Sequence, residues 1–236
     1  MTKSHLKSLV APKSWNIKAK AAKFVTKPLP GPHKSNISMP VSIFMKNIGH
    51  AITTKEVKYI LNNQSLLVDG KPVKNHKFPV GLMDVVEIKG VGTFRVLMNS
   101  RNRLFALPIS PAEASLKPCK IIGKSILKKG RIQLNLSGSR NIIVSKDEFN
   151  TNDSVIFDLK ENKIKEHFKL EKGAFAYIVF GKHSGSAGVV EDIFKDNVII
   201  KSGTNRLQTL VGDIFIIGRN NPAIAFEVKD ESNAEG

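Results

Sequence analysis

Between Pro40 and Gly49 the apolar positions Val41, Phe44, Met45 and Ile48 recur at helical spacing, so the pattern predicts a helix that stops at Gly49. A second helix is predicted to start at Thr53-x-x-Glu56, a capping box in which hydroxyl and carboxylate satisfy the first free amides. Val57, Ile60 and Leu61 form its apolar stripe, and Lys55 and Lys58 share the opposite surface. Leu66 to Val68 reads as a strand, Asp69-Gly70 as a turn with positive φ at the glycine, and Val73 to Phe78 as a returning strand. Pro79-Val80-Gly81 reads as a further turn into a strand at Asp84 to Ile88. Gly90-Val91-Gly92 then connects into Thr93 to Met98, and a basic turn at Arg101-Asn102-Arg103 leads into Leu104 to Ile109.

Beyond Pro111 the periodicity is that of short strands: Cys119 to Gly123, Arg131 to Leu136, Asn141 to Ser145, Ser154 to Asp158 and Lys163 to Phe168. Five more follow at Phe175 to Val179, Ala187 to Ile193, Asn197 to Lys201, Leu207 to Val211 and Ile214 to Ile217, a set of the size of an SH3-like barrel. The expected class is α+β, mostly β. It divides into an extended N-terminal arm (1–40), a helix-helix-sheet module (41–105), a central β domain (106–170), a small barrel (171–228) and a polar tail (229–236).

Charge changes the reading of the arm. The 236 residues carry a net charge of +17, and residues 1–40 contribute eight lysines and no acid, whereas residues 171–236 hold seven basic and nine acidic groups. Five prolines, at 12, 28, 30, 32 and 40, punctuate the arm. Such a segment repels itself and is expected to order against a polyanion, although Trp15 and Phe24 are uncommon in a merely solvated tail. The longest apolar run, Ala174 to Phe180, is far shorter than the roughly 20 residues of a membrane span, and the N-terminus has no apolar secretory core, so a cytosolic protein is expected. A single cysteine, Cys119, and six scattered histidines argue against a disulfide or a structural metal.

Motifs that suggest catalysis fail on their spacing. Gly123-Lys124-Ser125 lacks the glycine that a phosphate loop needs upstream, where Pro118 stands. Gly90-Val91-Gly92-Thr93-Phe94-Arg95 ends in arginine and leads into a strand, and Ser184-Gly185-Ser186-Ala187-Gly188 lacks the first glycine of a nucleophile elbow. His183 reads as a loop contact, and Glu191-Asp192 and Asp147-Glu148 read as solvated charge. No enzyme, cofactor or small-molecule substrate is expected.

Several blocks in order carry a resemblance: His5-Leu6-Lys7, Ala11-Pro12-Lys13-Ser14-Trp15, Gly31-Pro32-His33-Lys34, Val68-Asp69-Gly70-Lys71 and Phe78-Pro79-Val80-Gly81-Leu82-Met83-Asp84-Val85. Over nearly its whole length the chain resembles the archaeal and eukaryotic small-subunit ribosomal protein family S4e. The resemblance implies an S4-type RNA-binding domain at 42–105 and a KOW motif at about 174–210, with Gly181, Gly185 and Gly188 matching its glycines and Phe180 and Ser186 departing from it. The absence of a longer basic C-terminal extension leans toward an archaeal member. The implied role is a structural constituent of the small ribosomal subunit, in the cytoplasm, with small-subunit ribosomal RNA and neighbouring ribosomal proteins as partners and no membrane.

For RNA contact the candidates on the arm are Lys7, Lys13, Lys18, Lys20 and Lys34 at phosphates, with Trp15 and His33 for stacking or hydrogen bonds. On the module they are Lys46, Lys55, Lys58, Lys71, Lys74, Arg95, Arg101 and Arg103. Each reads equally as an ordinary solvated charge, and Trp15 as a plug against the protein's own barrel. Two rivals remain: an RNA-modification factor carrying an appended S4-type domain, and a KOW adaptor that binds protein through the less basic C-terminal barrel. The acid-free arm favours RNA over the adaptor.

Overall fold

In the computed structural model, which describes residues 5–17, 22–63 and 65–226, strands dominate and two α-helices occur among those residues. The chain divides into two units, residues 1–98 with 103–115 and residues 99–102 with 116–236.

The first unit begins with a two-stranded pair, β1 (Leu6–Lys7) against β2 (Phe24–Val25). β3 (Ser38–Pro40) leads directly into α1 (Val41–Asn47), and α2 (Thr54–Asn62) follows. The remaining strands are β4 (Leu66–Val68), β5 (Lys71–Pro72), β6 (Pro79–Gly81), β7 (Val85–Ile88), β8 (Gly92–Met98) and β9 (Leu104–Ile109). Their sheet runs β5-β4-β7-β8-β9, while β3 pairs with β6. Both helices form where the periodicity places them, and the capping box at α2 is complete: Glu56 N donates to Thr53 Oγ1, and Thr53 N and Ile52 N donate to the Glu56 carboxylate. Val57 and Leu61 are fully buried and Ile60 partly so. Asp69 joins Gly70 in left-handed backbone (φ 50° and 74°), the two-residue turn whose twist matches its strands.

Two local expectations change. Residues 73–78 form no strand, and the Pro79-Val80-Gly81 segment expected to turn is β6, extended and paired with Ser38–Pro40. Proline and glycine bias a local reading toward a turn, yet a short two-stranded pair accepts proline because part of its backbone needs no ladder partner.

The arm also differs from an extended segment awaiting a polyanion, because its described residues fold onto the module. Ser14 O accepts a hydrogen bond from Leu104 N (2.8 Å), Leu29 N donates to Lys77 O (3.0 Å), and the Trp15 indole N–H donates to Ser38 O. His33 Nε2 and Asp84 Oδ1 stand 2.8 Å apart, and the other Asp84 oxygen accepts from Gly81 N. A Cβ at Gly81 would lie 2.3 Å from the His33 ring, so glycine is what admits the histidine. Extended proline-rich chain can pack in this way because it presents apolar rings and few amides that require partners.

The second unit contains two antiparallel sheets. β10 (Leu116–Ile126), β11 (Ile132–Leu136), β12 (Arg140–Val144), β13 (Ser154–Asp158) and β14 (Lys163–Phe168) are ordered β12-β11-β10-β13-β14. β15 (Ala174–Ile178), β16 (Ala187–Phe194), β17 (Asn197–Ser202), β18 (Asn205–Leu210), β19 (Ile214–Arg219) and β20 (Asn221–Pro222) are ordered β18-β17-β16-β15-β19-β20. One core gathers Cys119, Ile121, Leu134, Leu136, Val155 and Phe157, and the other is built from alternate residues of the second sheet, among them Ala176, Ile178, Val198, Ile200, Ile214 and Ile216. Gly188 allows the close approach of β17, since a Cβ there would lie 2.1 Å from Lys201 O. The expected tail, 229–236, lies outside the described residues.

Lys120 ties the two sheets of this unit together. Its ammonium donates to the carbonyls of Val211 (2.6 Å), Gly212 (3.1 Å) and Ile214 (3.1 Å), and the residue is 6% exposed. Burial pushes its pKa down to about 8, against the opposing pull of Asp213. From about pH 8 to the ordinary lysine value of 10.5 the unfolded chain holds a proton that the folded chain has released, so stability rises with pH across that window. The full rise is on the order of 3 kcal/mol, at about 1.4 kcal/mol per pKa unit. Urea unfolding followed by circular dichroism from pH 7.5 to 10 is expected to show this rise in the parent and not in Lys120→Met; parallel curves would refute the assignment.

Candidate nucleic-acid interface

Helix α2 presents Lys55 and Lys58 because its buried stripe of Val57 and Leu61 faces the other way. Lys46, in the last turn of α1, lies close enough to Glu56 to help hold that carboxyl below its usual range, the larger causes being hydrogen bonds from Ile52 N, the Thr53 hydroxyl and Thr53 N. His76 is lowered first by partial burial and then by the positive charges of Lys58 and Lys77. The contribution of Lys58 and Lys77 to that lowering is in keeping with a surface rich in positive charge. Tyr59 (70% exposed) and Ile52 (84%) stand among these cations and add an aromatic and an aliphatic surface suited to nucleobases.

The candidate cations fall into three groups. Lys7, Lys13, Lys34, Lys46, Lys55, Lys58, Lys71, Lys74, Arg101 and Arg103 are exposed, and Arg103 Nη1 donates to Asn16 Oδ1 (3.3 Å). Lys18 and Lys20 lie outside the described residues. Arg95 is a correction: it is 1% exposed, and its guanidinium faces Glu113 at 3.4 Å. β8 is a central strand with β7 and β9 on either side, and the face carrying Arg95, opposite Val85 and Leu107, points into the unit. Burial pushes its pKa down to about 10, with Glu113 opposing. An arginine so placed neutralises a carboxylate, not a phosphate.

Trp15 and His33 are the other corrections. Trp15 is 3% exposed with its N–H committed to Ser38 O, and the His33 side chain is enclosed beside Asp84, so neither ring offers a face for stacking. Trp15 is instead a buried plug within its own unit, hydrogen-bonded to Ser38 O. Only 51 residues downstream does His33 find its carboxylate, a distance over which no local pattern operates.

Two features escape the sequence reading. Tyr59 carries a signal that was available, an aromatic off the apolar stripe of an amphipathic helix. The β10–β11 connection exposes Lys128, Arg131 and Ile126 (84%), cations and an aliphatic at one hairpin tip. Among the described residues no group of acids, histidines and cysteine is placed to hold a metal ion, and no helix is long and apolar enough to cross a membrane.

Comparison with known proteins follows the same outline. Residues 92–164 match the model of ribosomal family S4e, and residues 2–36 match the RS4NT (NUC023) domain. The small ribosomal subunit protein eS4 of Methanosphaera stadtmanae is 39% identical over 232 residues, covering 95% of this chain and 96% of its own. The eS4 protein of Methanothermobacter thermautotrophicus is 37% identical, covering 95% and 96%. The crystal structure of the 30S ribosomal protein S4e from Thermoplasma acidophilum is similar at a TM-score of 0.68, with 29% identity, over 78% of this chain and 95% of that one.

Proposed function

The chain belongs to the ribosomal S4e family, and from that membership we propose that it is a structural constituent of the small ribosomal subunit, in the cytoplasm, that binds and stabilises folded small-subunit ribosomal RNA. The observation that carries this reading is the likeness to eS4 proteins along 95% of the chain. S4e is a structural and not an enzymatic family, in keeping with motifs that fail as catalytic signatures.

The physical case is one of many weak contacts. Lysine and arginine release condensed counterions from phosphates, and the deep groove of A-form RNA leaves shape, phosphate and 2′-hydroxyl as what a protein reads. Residues 41–105 act as the S4-type RNA-binding module, through Lys46, Lys55 and Lys58 on the helices and Lys71 and Lys74 beyond the Asp69-Gly70 turn. The arm contributes Lys7, Lys13 and Lys34 from a folded support, so these lysines lose less conformational freedom on binding than they would on a disordered tail. Within the expected barrel segment 171–228, strands β15 to β19 make up the KOW-type barrel. Its exposed Phe194 (58%) and Leu210 (52%), in a segment without net positive charge, favour neighbouring ribosomal proteins as the partners of that barrel.

Sedimentation of native extract through a sucrose gradient, first at low and then at moderate salt, tests the reading. Co-migration with the small subunit at both salt concentrations is the expected result. Recovery only at the top of the gradient in both would overturn it.

A further inference from the structure

The six residues of β18 lie in unbroken register against β17, and among the described residues no strand pairs with the other edge of β18. At roughly 3.3 Å per residue this leaves about 20 Å of strand edge whose outward amides and carbonyls can pair with another chain. Proteins blunt such edges with proline or lysine, and β5 (Lys71, Pro72), β9 (Pro108), β14 (Lys163, Lys165) and β20 (Pro222) carry them. β18 has neither. Its one charged residue, Arg206, reaches back across β17 to Glu191 (2.6 Å) and so turns away from the edge.

Apolar side chains flank this edge on both faces. Leu207 is partly buried at the rim of the core, and on the outer face Phe194, Asn197 and Leu210 form one cross-strand row that exposes Phe194 and Leu210 together. Asp192 and Glu191 on the same sheet are answered by Lys172 and Arg206, and residues 171–236 hold more acids than bases. A polyanion binds by releasing counterions to an excess of cations, which this surface does not supply. A second copy of a chain with net charge +17 is repelled. An extended segment of another protein meets every condition: its backbone completes the ladder, and two successive side chains fall on opposite faces, one over Leu207 and one over Leu210.

We propose that β18 accepts an added strand from a neighbouring protein of the small ribosomal subunit, a segment apolar on both faces. The proposal rests on the ribosomal reading and gives the protein contact of the barrel a definite form.

The full chain carrying Gln208→p-benzoylphenylalanine, at an exposed position in the middle of β18, would be expressed in its native cells, and small subunits isolated at moderate salt would be irradiated and the crosslinks mapped. Hydrogen exchange at β18 would be compared between the isolated parent chain and the parent in the subunit. Expected are crosslinks to one peptide of one other ribosomal protein, and exchange at β18 slowed about tenfold or more on assembly.

Leu210→Lys, at a position 52% exposed, places on the edge the charge that blunts other strands. It should lose the protection and most of the crosslink while still co-sedimenting with the subunit through RNA. Gln208→Lys, read by exchange alone, should lose the same protection even if Leu210→Lys perturbs the barrel. Crosslinks confined to ribosomal RNA or to a second copy of this chain, or exchange at β18 unchanged on assembly, would overturn the proposal and leave the ribosomal reading standing. Failure of the parent chain to co-sediment with the small subunit would overturn both.

Discussion

Trp15→Ala is expected to destabilise the first unit by about 3–5 kcal/mol, the range for deleting a large buried aromatic side chain. The indole is 3% exposed and its N–H donates to Ser38 O, while the backbone carbonyl of Ser14 beside it accepts from Leu104 N, so this stretch of the arm is tied to both β3 and the start of β9. For a unit of about 100 residues such a loss lowers Tm by more than 10 °C, which thermal unfolding followed by circular dichroism would detect. Trp15→Phe separates the two contributions: it keeps most of the apolar burial and leaves the Ser38 carbonyl without its donor, at a cost of about 1–3 kcal/mol. Hydrogen exchange should locate the damage, with loss of protection at Leu104 N and Leu29 N and little change in β15–β19. A shift below about 1 kcal/mol for Trp15→Ala would mean that the arm is held by other contacts and that Trp15 is not its anchor.

What the chain reveals locally, it reveals well. Helix α2 could be read from three apolar positions and a Thr-x-x-Glu, because a capping box and a 3.6-residue stripe are complete within nine residues. The strands of the second unit were equally legible, as alternation bounded by turns, to within a few residues at their ends. The arm was not. Its lysines and prolines describe an extended charged segment, yet whether such a segment stands free depends on partners at Ser38, Lys77, Asp84 and Leu104 that composition does not contain. The same blindness explains the misplaced site residues. Arg95 looks like any basic residue on a hairpin until Glu113, 18 residues away, is seen to face it, and a tryptophan that plugs a core has the same local sequence as one that stacks on a base. Family resemblance matched the blocks around Trp15, His33 and Gly81 without saying that they form one packed cluster, in which glycine at 81 exists to accommodate the ring at 33.

Separating buried from exposed cations sharpens the electrostatic expectation. The net charge of +17 counts Arg95, Lys117 and Lys120, all nearly inaccessible, and none of them can displace a counterion from RNA. The ten exposed candidates can. If each neutralises one phosphate, log K against log salt should have a slope of about −7 to −9, and affinity should fall by roughly 10⁴–10⁵ between 50 and 200 mM salt. Filter binding of a small-subunit ribosomal RNA transcript across that range measures the slope directly. Lys55→Gln/Lys58→Gln is expected to make it shallower by about 2, because both ammoniums project from α2 beside Lys46 and Tyr59. Lys163→Gln/Lys165→Gln, two exposed lysines of β14 in the second unit, carries the same change of charge and should leave the slope unaltered. Equal effects from the two variants would mean that RNA responds to net charge alone and that α2 has no special place in the interface. A parent slope near −2 would go further and remove the multi-phosphate mechanism, because two contacts are too few to fix a protein of this size on a folded RNA.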